Sequence, residues 1–121
     1  MEHNYLTVDT EMPPDMPYPR FLADTGIGST AKELYVRLLD KAVTEKEEDS
    51  RGYFYTRFPI REQMAVLSKS DATVKRAMLE LEQAGLLIRK RKGHGRPNLL
   101  YVLVLVWQEF REKRRENDQK Q

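Results

Sequence analysis

The segment from Ile60 to Val104 constrains the fold more than any other part of the sequence, because several local signals follow one another in it. Two short helical patterns are separated by a tight turn, and two β-rich runs then flank a stretch that contains glycine and proline. The order helix, turn, helix, hairpin predicts an α+β domain built around two packed helices and a small antiparallel sheet.

The second of these helical patterns has the clearest boundaries. Ser70 occupies an N-cap position, Asp71 adds a favourable negative charge to the first turn, and Gly85 is a suitable left-handed stop. The apolar side chains between them recur on one side, at Val74, Ala77, Met78, Leu81 and Ala84. The opposite side carries small, basic and apolar residues, namely Ala72, Lys75, Arg76 and Leu79. Such a helix suits the major groove of DNA.

The residues after Gly85 predict a hairpin with a cationic tip. Leu86–Ile88 and Asn98–Val104 are β-rich, and Gly93–Pro97 has the chemistry of a turn. Residues 86–97 include no acid and five basic side chains, Arg89, Lys90, Arg91, Lys92 and Arg96. A tip of one sign beside a basic helix face is suited to DNA phosphates. The combination predicts a winged helix-turn-helix that inserts the Ser70–Ala84 helix into the major groove of double-stranded DNA.

Three regions are expected along the chain: an extended N-terminal arm over residues 1–28, the winged-helix domain over residues 29–104, and a short helix with a polar tail over residues 105–121. Within the arm, Tyr5–Val8 is a candidate strand. The many prolines of residues 12–19 exclude a helix or a central strand there.

The first long helix is predicted to start at Ser29 or Thr30 and to end near Val43. Thr30 and Glu33 have the spacing of a capping box. The expected buried stripe consists of Leu34, Tyr35, Leu38, Leu39 and Ala42. The charged residues 45–52 predict a solvated connector. Residues 53–58 predict a strand that pairs with the later hairpin, and Pro59 suits the entry of a helix over Ile60–Leu67.

The charge of the chain is unevenly distributed. The 121 residues carry a net charge of +2 at pH 7. Residues 1–58 contain seven Lys/Arg and eleven Asp/Glu, a net charge of −4, whereas residues 59–121 contain fourteen and eight, a net charge of +6. A surface that binds a polyanion is therefore expected in the second half.

Several classes of function are disfavoured by composition. The sequence has no cysteine, which removes disulfides and thiolate metal sites and favours a reducing, cytoplasmic setting. No apolar run approaches the roughly 20 residues of a membrane helix. His3 and His94 are too isolated for a metal motif, and no nucleophile elbow, P-loop or pair of carboxylates in a recognisable setting occurs. We therefore expect no enzymatic activity, no cofactor and no membrane partner.

Four segments carry a resemblance to a known family: Tyr18–Leu22, Thr30–Asp40, Phe58–Ile60 and Leu86–Val102. The last combines a basic run, the sequence Gly93-His94-Gly95-Arg96-Pro97-Asn98, and Tyr101-Val102. These residues resemble the N-terminal domain of plasmid replication initiator A proteins, which are found on plasmids and conjugative elements of Gram-positive bacteria. The resemblance implies a homodimer that binds repeated DNA sites at a replication origin, with replication-machinery proteins as further candidate partners. Proteins of that family usually continue into another C-terminal domain.

The candidate DNA-binding residues belong to the second helix, the turn before it and the hairpin tip. They are Lys69, Ser70, Thr73, Lys75, Arg76, Lys92, His94 and Arg96. Ordinary solvated charge is the alternative for Lys75 and Arg76, a cap alone for Ser70, and simple exposure for His94. Two other functions use the same fold, a transcriptional repressor and a protein-interaction module. The second is expected to have a neutral or acidic face.

Overall fold

The computed structural model describes residues 5–10 and 26–104. Three helices and four short strands follow one another along the chain: α1 (Ser29–Glu45), β1 (Glu47–Glu48), β2 (Phe54–Tyr55), α2 (Ile60–Leu67), α3 (Asp71–Gln83), β3 (Leu87–Lys90) and β4 (Leu99–Val102). The α+β class is confirmed. The proline-rich part of the predicted arm, and the helix and tail predicted over residues 105–121, lie outside the described residues.

Helix α1 supplies the largest share of the core. The five residues of its predicted stripe are all buried, together with Ala31. The predicted start at Ser29 is confirmed, but the helix runs two residues beyond Val43, to Glu45. The capping box is wrong: Gly28 is the N-cap and no side chain caps it, while Glu33 pairs with Arg37 at 3.4 Å along the helix surface. Glu33 therefore pairs with its i,i+4 neighbour on the helix surface and not with the N-cap backbone N–H, as a capping box would require.

Residues 45–52 are largely exposed, as predicted for a solvated connector, but they also form part of a hairpin. Glu47 and Glu48 pair antiparallel with Tyr55 and Phe54, which forms a first hairpin, defined here as residues 47–55. Asp49 holds its turn, because its carboxylate accepts from the backbone N–H groups of Arg51 and Tyr53 at 2.8 and 3.1 Å. An aspartate that bonds the backbone two residues ahead is a common turn former, a signal that the acidic composition concealed.

A short turn connects helices α2 and α3. Pro59 precedes α2 as predicted, and Ser68 ends it in the left-handed conformation with φ 55°. Ser70 caps α3 by accepting the Thr73 N–H at 3.3 Å, as predicted. The chain leaves α3 through Gly85, whose φ of +76° suits glycine, and Leu86 donates its N–H back to the Leu81 carbonyl at 2.9 Å.

The last two strands form the basic hairpin, defined here as residues 87–102. Strand β3 pairs antiparallel with β4 in the register Leu87↔Val102, Ile88↔Tyr101, Arg89↔Leu100 and Lys90↔Leu99. The prediction that residues 53–58 pair with this hairpin is confirmed at one bridge, where Thr56 and Leu100 exchange two backbone hydrogen bonds of 2.9 and 2.8 Å. The basic hairpin is thereby attached to the first hairpin as well as to α3.

The described part of the N-terminal arm packs on this sheet. Tyr5 forms an isolated bridge with Leu103, and Leu6 is buried in the core. The predicted strand over Tyr5–Val8 does not extend further, because residues 7–10 turn: the Thr10 N–H donates to the Thr7 carbonyl at 3.1 Å, and Val8 is exposed. Within the described residues, no helix has the length and apolarity to cross a membrane.

Candidate nucleic-acid interface

Helix α3 separates a buried face from an exposed one, as its sequence predicted. Val74, Ala77, Met78 and Leu81 are buried. Arg76 is exposed, as is Ala72 one turn before it, and half of the Leu79 side chain is accessible. This side of α3 thus carries small, basic and apolar groups that are accessible to a large ligand.

The start of α3 gathers three of the predicted residues. Ser70 and Thr73 are joined through their hydroxyl groups at 3.0 Å, and Lys69 is exposed in the preceding turn. The Lys75 ammonium group lies 2.9 Å from the Asp71 carboxylate, one turn earlier. Lys75 is thus partly neutralised, whereas Arg76 has no ion pair within the described residues. Arg76 is the cation on this face that is most available to a polyanion.

The tip of the basic hairpin holds the other three predicted residues. Lys92, His94 and Arg96 are all exposed between β3 and β4. Glycines at residues 93 and 95 have φ of +99° and +76°, which close the turn and keep the tip thin. The tip therefore presents its cations without steric cover.

Arg89, at the base of the same hairpin, has a different role. Its guanidinium group pairs with the Glu82 carboxylate of α3, with an Nε–Oε1 distance of 3.1 Å, and both side chains are about one-quarter to one-third exposed. The pair links the basic hairpin to α3 at a fixed register. Of the five basic residues predicted for the tip, Arg89 is thus committed within the protein.

Among the described residues, the pocket that the tip cations line includes no cation of α3. Lys92 and Arg96 instead line a cleft between the basic hairpin and the first hairpin, together with Lys90, Arg51 and Arg57. Arg51 and Arg57 were not among the predicted site residues, because Arg51 lies in the segment interpreted as a solvated connector and Arg57 in the segment interpreted as a strand. The Asp49-x-Arg51 turn pattern was the available signal, since it places the arginine against the aspartate that forms the turn.

The Asp49 carboxylate accepts several hydrogen bonds in the first hairpin. Its second carboxylate oxygen accepts from the Arg51 guanidinium group at 2.9 and 3.1 Å and from the Tyr101 hydroxyl at 2.9 Å. Burial alone would raise the pKa of Asp49, but the hydrogen bonds from Tyr53, Arg51 and Tyr101 lower it well below its usual range. Burial and the bond to Asp49 both raise the pKa of the Tyr101 hydroxyl. Asp49 is therefore a structural anion at neutral pH.

Among the described residues, no group of three metal-binding side chains comes together. The exposed face of α3 and the exposed cations of the basic hairpin remain the candidates for a functional surface.

Three solved structures have a similar fold. One described as "N-Terminal domain of DNA binding protein" is 22% identical, with a TM-score of 0.59 over 97% of this chain and 98% of that one. One described as "Structure of Rep-DNA complex" is 24% identical, with a TM-score of 0.59 over 95% and 97% of the two chains. A third, "Structure of MDR initiator", is 24% identical, with a TM-score of 0.56 over 76% of each. At these identities the likeness concerns the fold.

No curated protein sequence matches this chain. The model of one protein family, described as Replication initiator protein A (RepA) N-terminus, does match residues 25–114. The matched span contains both helices of the candidate interface and the whole basic hairpin. The chain therefore belongs to the family of replication initiator protein A N-terminal domains.

Proposed function

We propose that the chain binds double-stranded DNA sequence-specifically at a plasmid or mobile-element replication origin. Helix α3 enters the major groove, and the basic hairpin acts as the wing of a winged helix-turn-helix that contacts the neighbouring backbone or minor groove. The activity is non-catalytic and belongs to the cytoplasm.

The observation that carries this proposal is the combination of a two-faced α3 with a thin cationic tip fixed to it. The buried stripe of α3 and the Glu82–Arg89 pair hold the helix and the hairpin as one body. A rigid pair of elements that offers Arg76 on one and Lys92 and Arg96 on the other meets the geometric needs of groove and backbone contacts. Membership of the initiator family and the similar fold of a Rep–DNA complex support the same conclusion.

The DNA site is found by selecting bound duplexes from a random library. Because the interface is cationic and each subunit is expected to contact roughly 4–6 phosphates, affinity should fall about a hundredfold or more between about 50 and 200 mM salt. A flat salt profile would favour a protein-interaction module instead. A repeat array of the selected sequence beside or within the coding region would favour initiation over transcriptional repression.

Single substitutions distinguish the residues that contact bases from those that contact the DNA backbone. Arg76→Ala is expected to cost about 1–3 kcal/mol of binding and to relax the preference at one base pair. Lys92→Ala and Arg96→Ala should weaken all duplexes alike and lower the salt slope by about one unit each. Arg37→Ala, which removes an exposed arginine from α1, is the control. If Arg96→Ala alters the preferred sequence and Arg76→Ala does not, the hairpin is the reader.

A homodimer completes the proposal, because two copies on repeated sites double the contacted DNA. Replication-machinery proteins are proposed as further partners.

A further inference from the structure

The cleft between the first hairpin and the basic hairpin lies on the reverse of the sheet, away from α3. Strand alternation places Leu87, Arg89 and their partners Val102 and Leu100 on one face. That face meets α3, since Arg89 pairs with Glu82 and the three apolar residues belong to the main core. The other face carries Ile88, Lys90, Leu99 and Tyr101.

This reverse cleft is strongly cationic. It encloses about 610 Å³, and its lining includes five cations, Arg51, Arg57, Lys90, Lys92 and Arg96, against two carboxylates, Glu48 and Asp49. One of those carboxylates is already saturated by hydrogen bonds from its own hairpin. The cleft therefore attracts anions, and its five separate cations suit a chain of phosphates more than a single phosphate.

Among the described residues, three of the five cations have no ion-pair partner. Arg51 pairs with Asp49 at 2.9 Å, and Arg57 pairs with Glu47 at 3.2 Å in an exposed contact that is easily exchanged. Within the described residues, no ion pair involves Lys90, Lys92 or Arg96. These cations of the basic hairpin face Arg51 and Arg57 across the cleft, and the repulsion among the five side chains falls when they share a polyanion.

The aromatic rings of the cleft do not offer stacking platforms. Tyr101 is 2% exposed. The Tyr55 ring, the other aromatic ring of the lining, carries the Arg57 guanidinium group 5.3 Å from its centroid. Sequence-tolerant binding of single strands depends on exposed rings that stack on bases. The chemistry of the cleft thus favours the phosphates of a duplex over an unpaired strand.

We infer that the reverse cleft binds the phosphodiester backbone of duplex DNA that flanks the segment read by α3. The inference rests on the proposed function, because α3 must be docked for the flanking duplex to pass the basic hairpin. The hairpin tip then stands between two backbone contacts, one on the α3 side and one in the cleft. The protein should therefore cover a longer stretch of DNA than α3 and a single wing would contact.

The test compares two duplexes and two double variants of the full chain. One duplex is trimmed to the selected site, and the other extends it on both sides by about one helical turn, roughly 10 bp. Arg57→Gln with Lys90→Gln removes two cleft cations that lie outside the α3 interface. Lys32→Gln with Arg37→Gln on α1 removes the same charge and serves as the control. Thermal melting confirms that all variants fold.

The wild type and the control should bind the extended duplex more tightly and with a steeper salt dependence than the trimmed one. The cleft variant should lose this difference, with a salt slope about two units smaller on the extended duplex and unchanged on the trimmed one. Between about 50 and 200 mM salt, the wild type should therefore lose roughly tenfold more affinity for the extended duplex than the cleft variant does.

Three results would overturn the inference. The wild type could bind both duplexes equally, the cleft variant could weaken both alike, or a single-stranded oligonucleotide of the flank could compete better than the duplex. In each case α3 still binds its site, and the proposed function stands. If the wild type binds neither duplex, the proposed function is refuted as well.

Discussion

Replacement of Asp49 by asparagine tests whether this carboxylate holds the two hairpins together. Asparagine keeps one oxygen for the backbone N–H groups of Arg51 and Tyr53, which lie at 2.8 and 3.1 Å. The amide nitrogen that replaces the other oxygen cannot accept from the Tyr101 hydroxyl at 2.9 Å or from the Arg51 guanidinium group. The turn should therefore survive, while the charged hydrogen bond from Tyr101 of β4 to residue 49 is lost.

The magnitude follows from the environment of Tyr101, which is 2% exposed. Loss of a charged acceptor for a buried hydroxyl costs about 2 kcal/mol of unfolding free energy, and the exposed Arg51 pair adds little. For a domain of this size, that loss lowers the melting temperature by roughly 10 °C. Tyr101→Phe should cost about 1 kcal/mol, because the Asp49 carboxylate keeps its other donors. The double variant should cost less than the sum, since both changes remove one shared bond.

The pH dependence gives an independent check. The pKa of Asp49 is lower in the folded protein than in the unfolded chain, so its ionisation stabilises the fold above the unfolded value of about 4. This contribution is lost as the pH falls through the folded pKa. Thermal or urea unfolding at pH 7 and at about pH 3 should show the gap between wild type and Asp49→Asn narrowing in acid, with Asp40→Asn, an exposed site on α1, as control. A gap that is absent at pH 7, or equally large at both pH values, would refute the reasoning.

Three further predictions concern the helix cap, the link between α3 and the basic hairpin, and assembly. Ser70→Ala should destabilise the domain by about 1 kcal/mol in urea unfolding, because the Thr73 N–H loses its acceptor; an unchanged midpoint would mean that solvent caps α3 equally well. Glu82→Gln should raise the affinity for random duplex, because it removes an acid. It should also reduce the discrimination in favour of the selected site, because Arg89 no longer fixes the hairpin. Glu80→Gln is the matched control, and equal DNA binding by the two variants would contradict the link. Light scattering of the full chain should detect a dimer at DNA-binding concentrations, and a monomer throughout would oppose the dimer proposal.

The sequence predicted those elements whose signals are local. The boundaries of α3 follow from a cap, a one-sided apolar stripe and a glycine, and all three operate within the helix itself. The same holds for α2 and for the basic hairpin, whose turn chemistry is contiguous. Family membership was likewise predictable, because the segments that carry the resemblance lie mostly within the matched span.

The prediction failed where a sequence pattern did not show which partner a side chain takes. The Thr30–Glu33 spacing was compatible with a capping box, but Glu33 pairs with Arg37 instead. The acidic residues 45–52 suggested a solvated connector, because composition does not reveal that Tyr101, 52 residues beyond Asp49, supplies a hydrogen bond to its turn. Contacts between residues so distant in sequence depend on the packed fold and leave no periodicity to detect.

The alternation along β3 explains why one basic run serves two surfaces. Arg89 points to α3 and is neutralised by Glu82, so it sets the position of the hairpin and adds little to the external field. Lys90, its neighbour, faces the other way and joins Arg51 and Arg57 in the reverse cleft. A count of basic residues therefore overstates the charge that faces the α3 side. If the reverse cleft binds flanking duplex as proposed, its cations strengthen DNA binding only where the duplex is long enough to reach them. The proposal thus makes the length of the DNA, as well as its sequence, part of the recognition.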